Sequence, residues 1–191
     1  LVQCIAGALG RAEDQIIIDA IALGTYNAAP TYPDEGLLID LGVAAALDLA
    51  TLRKASTTLT GNSVPTSDRT IIYTADGLDQ LLATTEVTSS DYNNVKALVN
   101  GDIDTFLGFK HIVVSTRAEG GLAGDGTTAC DAYAYHKAAV GYANGIDMET
   151  KIDWVAQKVS WLTNGCMKAG AVLRETGGVV QINYDSTVVV A

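Results

Sequence analysis

Residues 64–117 read VPTSDRTIIYTADGLDQLLATTEVTSSDYNNVKALVNGDIDTFLGFKHIVVSTR. Pro65 and the cluster Thr66-Ser67-Asp68 predict a loop, and Arg69 leads into a short apolar strand over Ile71–Thr74. Asp76 has the character of an N-cap for a brief helix carrying Leu78, Leu81 and Leu82 on one face. Ser89 or Ser90 then opens a second helix with Tyr92, Val95, Leu98 and Val99, stopped by Asn100-Gly101. Another strand follows and ends in His111-Ile112-Val113-Val114-Ser115.

Upstream, Leu1–Leu23 has helical spacing with an expected interruption at Gly10 and an end at Gly24. Thr25–Glu35, with Pro30 and Pro33, reads as loop. Leu37–Ala46 is a continuous apolar run, either a buried strand or an arm on a neighbour. Asp48 is an expected N-cap for a helix with Leu49, Leu52, Ala55, Ser56 and Leu59 on one side, closed by Gly61-Asn62. Downstream, Ala118–Thr128, with Gly120, Gly121, Gly124 and Gly126, reads as a flexible loop. Cys130–Ala143 alternates as one strand, with Tyr133, Tyr135 and Lys137 opposite Ala132, Ala134 and His136. Asn144-Gly145 and Asn164-Gly165 are turn signals around a second alternating run, Lys151–Thr163. A last strand, Val179–Tyr184, follows the Gly177-Gly178 turn, and Thr187–Val190 reads as an edge strand or a neighbour contact.

One ordered set of residues carries a resemblance. It runs Val64-Pro65, Arg69, Leu81-Leu82, Ser90-Asp91-Tyr92, Ala97-Leu98, Gly101 and Gly108-Phe109. Tyr135-His136-Lys137-Ala138-Ala139-Val140, Gly170-Ala171 and the terminal pattern from Val179 to Asp185 continue it. In that order they resemble the major capsid proteins of tailed bacteriophages, whose shell fold is called Hong-Kong-97-type. The resemblance implies an α+β chain with a discontinuous peripheral domain, 1–68 and 152–191, and an axial domain, 69–151. It places the helix before Val64-Pro65 in the peripheral domain as its spine. It also implies a fragment, because the family's N-terminal arm and extended loop have no counterpart upstream of Leu1–Leu23. A start at Leu1 without a signal-peptide pattern agrees with a fragment or processed product.

Composition narrows the classes. The chain of 191 residues is 48% hydrophobic, so an ordered core is expected, and the apolar excess goes either into that core or into partner contacts. Twenty-two acidic residues against 12 basic ones give a net charge of −10, and Arg53-Lys54 is the densest basic pair. Tight binding through phosphates needs a basic patch, which this chain lacks. Cys4, Cys130 and Cys166 form neither a disulfide framework nor a zinc pattern, which fits synthesis in a reducing cytosol. No apolar run reaches the ~18 residues of a membrane-spanning helix.

Catalytic and ligand motifs fail when tested. Asn100-x-Asp102-x-Asp104 opens like a calcium loop, but Thr105 stands where the turn needs glycine and His111 where a bidentate glutamate belongs. Gly121, Gly124 and Gly126 are not followed by Gly-Lys-Ser/Thr, so no phosphate loop is expected. Cys130 and His136 would lie roughly 20 Å apart on an extended strand, too far for a nucleophile and its base. His111 and His136 read as structural imidazoles, and Trp154 and Trp161 as core or subunit-contact residues. Lysine–asparagine cross-links occur in some members of the capsid family, but no motif here carries one over.

The expectation is therefore a structural protein and not an enzyme, with no catalytic, cofactor or metal residues. By resemblance it self-assembles through hexamers and pentamers into an icosahedral shell that encloses DNA without sequence-specific contacts. Its further partners would be scaffold, portal or decoration proteins. It would be assembled in the bacterial host cytoplasm, reside in the virion capsid and bind no membrane. Two alternatives stand beside this reading: an encapsulin-type compartment, separated by what the shell contains, and a small hydrolase, which would need a pocket with two converging carboxylates.

Overall fold

The computed structural model describes residues 2–26, 38–40, 45–83, 105–117, 119–122 and 129–188. Three helices occur there, α1 (Val2–Tyr26), α2 (Leu49–Gly61) and α3 (Ala75–Ala83). The strands are β1 (Leu38–Asp40), β2 (Arg69–Thr74), β3 (Thr105–Phe106), β4 (Phe109–Val114), β5 (Ala129–His136), β6 (Val140–Val155), β7 (Ser160–Leu173) and β8 (Val179–Asp185). The expected helix from Ser89 or Ser90 to Asn100-Gly101 and most of the 25–35 loop lie outside the described residues.

Six strands form one mixed sheet in the order β1-β8-β5-β2-β4-β3, and among the described residues β6 pairs only with β7. The large sheet is covered on both faces. On one face Leu52, Ala55 and Leu59 of α2 and Leu81 of α3 pack against Ile71, Tyr73, Phe109, Ala132, Ala134, Ile182 and Tyr184. On the other, Ile17, Ile18 and Ile21 of α1 and Leu122 pack against Ile72, Tyr133, Tyr135 and Val179. The alternation read from β5 explains the arrangement. Its alanines admit the α2 side closely, and its tyrosines fill the α1 side.

Local chemistry sets the boundaries. Asp48 caps α2, accepting from the Thr51 backbone N–H at 2.7 Å. A cap is worth about 1 kcal/mol. Burial of each large apolar side chain is worth about 2 kcal/mol, so packing of Leu52 and Leu59 dominates the stability of α2. Asp76 lies inside the first turn of α3 and is not its cap. The oxygen that accepts from the Gly77 N–H is Thr74 Oγ1, at 3.4 Å. Helix α1 runs through Gly10 without a break and continues past Gly24 to Tyr26, because its apolar contacts offset a glycine penalty of about 1 kcal/mol. The run predicted as one strand over 130–143 is two, since a 3₁₀ turn at Lys137–Ala139 separates β5 from β6.

The Gly108-Phe109 signature has a direct cause. Leu107 and Gly108 both hold positive φ, 52° and 80°, as a two-residue turn between β3 and β4 requires. Phe109 then enters the core with no exposure. Gln80 acts as a buried bracket, accepting from the Leu47 N–H at 2.9 Å and donating to the Asp185 carbonyl at 2.7 Å.

Arg69 is 3% exposed and locks the α2–β2 connection. Its Nε donates to the Pro65 carbonyl at 2.8 Å, and Nη2 to the Val64 carbonyl at 2.7 Å and to Thr60 Oγ1 at 3.1 Å. Nη1 donates to the Ser56 carbonyl at 3.2 Å. One planar fork thus holds the end of α2 against the start of β2. Removing it takes the guanidinium donors from the part-buried Pro65 and Val64 carbonyls, so Arg69→Met is expected to cost about 2 kcal/mol, read as a lower urea midpoint at unchanged slope.

Tyr73 and Tyr184 are buried, which raises each phenol to a pKa of about 12, and for Tyr73 the neighbouring Tyr184 adds to the effect. Below pH 10 both the folded and the unfolded chain keep these protons. Between pH 10 and about 12 the unfolded chain releases them and the folded chain does not, so stability falls as pH rises through that window. Urea midpoints at pH 9 and pH 11 should differ in that direction, and substituting Tyr73 by Phe should shrink the difference.

Candidate assembly surface

Strands β6 and β7 form a hairpin of 16 and 14 residues, paired from Val140↔Leu173 to Val155↔Ser160. Its turn is at 156–159, inside the run predicted to be one strand over 151–163. Neither Asn-Gly pair turns the chain. Asn144 sits at a register shift within β6, and Gly165 continues β7 opposite Thr150. Cross-strand pairing over this length outweighs the local preference of an Asn-Gly dipeptide.

Helix α1 covers one face of the hairpin. A β-carbon on Gly165 would stand 2.5 Å from Ile5 Cγ2, so the missing side chain lets the helix lie close. Residues 163, 165, 167, 169, 171 and 173 are half-buried beneath it, and the intervening residues are exposed. Tyr142 reinforces the contact by donating to Glu13 Oε1 at 2.5 Å. That bond, aided by partial desolvation, raises the Tyr142 pKa. The C-terminal half of α1 lies on the large sheet, so one helix joins both sheets. The helix expected to be a spine, α2, instead shares the core of the large sheet.

Beyond α1 no described residue covers the same face. Ile152, Trp154 and Trp161 are 53%, 49% and 69% exposed, and the two indoles meet edge to face at 5.2 Å. Val159 at the tip is 76% exposed and holds φ at 48°. A β-branched residue in that region is strained, and asparagine or glycine would fit with less cost. On the opposite face Leu162 and Val172 are also exposed. A two-stranded ribbon is marginal alone, and an apolar cluster of this size on a surface marks a partner site. The reading of the tryptophans as core residues is therefore corrected.

Other residues singled out in the sequence are structural or lie elsewhere. His111 Nδ1 lies 3.1 Å from the Tyr73 hydroxyl, and His136 Nδ1 accepts from the Ala138 N–H at 3.1 Å. Cys130 is buried in the core, whereas Cys4 and Cys166 are exposed. Residues 100–104 of the calcium-like motif are outside the described set, as are Gly124 and Gly126. The described part of the glycine loop is anchored rather than free. Gly120 donates to Gln15 Oε1 at 2.9 Å, and Gly121 and Leu122 are buried. Among the described residues no cluster of His, Cys, Asp or Glu could hold a metal. Asp76 and Asp79 share a small hollow of about 140 Å³, but both are exposed on the outer side of α3.

A two-face-covered mixed sheet, joined through one long helix to a projecting hairpin, is the architecture of Hong-Kong-97-type shell proteins. Mycobacterium phage Che8 provides a similar structure, with a TM-score of 0.66 and 19% identity over 93% of this chain and 60% of that one. The head structure of Helicobacter pylori bacteriophage KHP40 gives 0.70 and 12% over 96% of this chain and 68% of that one. The holo-SrpI encapsulin complex of Synechococcus elongatus PCC 7942 gives 0.59 and 9% over 97% and 65%. A family model described as phage capsid protein matches residues 1–186, and the chain belongs to that family. No curated protein matches it. The chain spans about 60% of the length of the Che8 chain it resembles.

The strain at the hairpin tip has a measurable consequence. Val159→Asn should raise the stability of the unassembled chain by about 1 kcal/mol, seen as a higher urea midpoint, because asparagine accepts the positive φ that valine resists.

Proposed function

We propose that the chain is the shell-forming part of a phage major capsid subunit. It associates with its own copies, in hexamers and pentamers, into an icosahedral shell that encloses DNA. The observation that carries this reading is the long hairpin whose apolar residues have no cover among the described residues, in a member of the phage capsid family. Function then resides in extended contact surfaces and not in a cleft. The family and fold imply a structural role, and we extend that to the absence of catalysis. A net charge of −10 suits a wall that encloses DNA without gripping it. Scaffold, portal and decoration proteins are its further partners, the host cytoplasm its place of assembly and the virion capsid its destination.

Packing supports a division into two lobes that modifies the expected one at 68/69 and 151/152. The six-stranded sheet with α2 and α3 forms the axial lobe. The β6–β7 hairpin with the N-terminal half of α1 forms the peripheral lobe, since residue 151 falls within β6 and α2 shares its core with β2 and β8.

The likeness to an encapsulin supports one alternative, a compartment enclosing protein cargo. Electron microscopy and light scattering on the full-length gene product, with its scaffold supplied, test both readings. Closed shells holding DNA are the expected outcome, and shells holding protein would favour the compartment. Trp154 and Trp161 are the two tryptophans of this sequence, so the tryptophan emission of this chain reports on the hairpin. It should shift to shorter wavelength on assembly. Persistently small particles would overturn the shell reading.

A further inference from the structure

Two surfaces of opposite charge stand at opposite ends of the large sheet. Helix α2 carries Arg53 and Lys54 and no acid, and α3 carries Asp76 and Asp79 and no base. All four side chains are exposed, and among the described residues none has an ion-pair partner within the chain. Both helices cover the same face of the sheet. They border different ends of its strands. The C-terminal half of α2 is fastened to Arg69 at the start of β2. Helix α3 follows directly on Thr74 at the end of β2, and its hollow is shared with Ser186, Thr187 and Val188, just past the end of β8. Strands β2 and β8 both run antiparallel to β5 and so point the same way. The six residues of β2 set the two surfaces roughly 20 Å apart.

The α2 surface holds more charge than its two exposed bases. A groove of about 500 Å³ is lined by Arg53, Ser56, Thr57, Thr60, Gly61 and Leu107. Bonded to two of these residues is Arg69, which is 3% exposed. Its donors all rest on uncharged oxygens, the Pro65, Val64 and Ser56 carbonyls and the Ser56 and Thr60 hydroxyls. Asp68 precedes it in the chain but forms no ion pair with it. A buried cation without a counter-charge is costly. Because its acceptors Ser56 and Thr60 line the groove, a carboxylate seated there would compensate it.

We infer that the acidic side of α3 in one copy docks on the α2 groove of the next copy, with Asp76 and Asp79 meeting Arg53 and Lys54. The inference rests on the shell reading and is independent of the hairpin. Charge complementarity selects a second copy as the occupant. Copies of net charge −10 repel one another, and the α2 groove turns that acidity into attraction. A nucleic acid would need a longer basic track than one pair and would leave the α3 surface unmatched. Each copy offers one surface and accepts the other, so the contact is heterologous and can close a ring. The opposite signs also fix its direction, because two α2 surfaces, or two α3 surfaces, repel.

Two measurements on the full-length chain, assembled with its scaffold supplied, test the contact. In the first, shells of the parent chain are treated with a carbodiimide, which joins an amine to a carboxylate only where the two touch. Peptide mass spectrometry should find Lys54 linked to Asp76 or Asp79 in shells. The unassembled chain should not give that link, since its own α2 and α3 surfaces are too far apart. The second measurement is charge reversal. Arg53→Glu with Lys54→Glu, and separately Asp76→Lys with Asp79→Lys, should each lower the shell yield by about tenfold or more. All four changes combined should restore it. Urea midpoints of the free chains should stay close to the parent value, since all four positions are exposed.

Parent shells without the Lys54 link would overturn the inference and leave the shell reading intact. So would a reversed variant that assembles like the parent, or a combined variant that assembles no better than the two reversed ones. Should a reversed variant lose stability, the cross-link on the unaltered chain decides alone. If the parent chain forms no shell at all, the shell reading fails and the inference falls with it.

Discussion

A ribbon of two long antiparallel strands has no layer of its own to bury its faces against. The β6–β7 hairpin is such a ribbon, and everything around it answers that constraint. Helix α1 supplies cover over 163–173, made close by the absent side chain at Gly165. At 25 residues the helix is about 37 Å long, enough to lie on the hairpin with Ile5 and on the large sheet with Ile17, Ile18 and Ile21. Among the described residues cover stops where the helix stops, and Ile152, Trp154 and Trp161 are exposed. A monomer gains nothing from that arrangement. A subunit whose neighbours complete the layer does.

The large sheet answers the opposite need. Both of its faces are buried within the chain, and its connections are fastened by polar brackets rather than by bulk. Arg69 gathers carbonyls from α2 and the loop after it, and Gln80 ties 47 to 185 through α3. These groups are satisfied locally, which makes the lobe a rigid base for the projecting ribbon. The same economy applies to the polar groups of the described residues. The buried polar groups are engaged in holding connections, and the exposed acids Asp76 and Asp79 are solvated on the outside of a helix.

Much of the large sheet was legible from the residues, and the hairpin was not. Asp48 as a cap, the strand after Arg69 and the opposed tyrosines and alanines of β5 all follow from local rules that the fold obeys. Asn144-Gly145 and Asn164-Gly165 carry turn chemistry too, yet pairing across the whole ribbon absorbs them, one beside a bulge and one beneath α1. The real turn, at 156–159, has no glycine or asparagine to announce it. The bridging role of α1 was equally hidden, because contacts between elements far apart in sequence leave no periodicity to read. Trp154 and Trp161 were readable only as core or contact residues, since which side of the surface they lie on is a tertiary fact.

Central to the proposed shell is that neighbouring subunits supply the cover the hairpin lacks among the described residues. Hydrogen–deuterium exchange on the unassembled chain and on finished shells tests it most directly. Amides of 142–165 should exchange quickly in the free subunit and become protected in the shell, while those of β2 and β8 stay protected in both. Equal exchange of the hairpin in the two states would contradict the claim and leave its exposed tryptophans without a role in assembly.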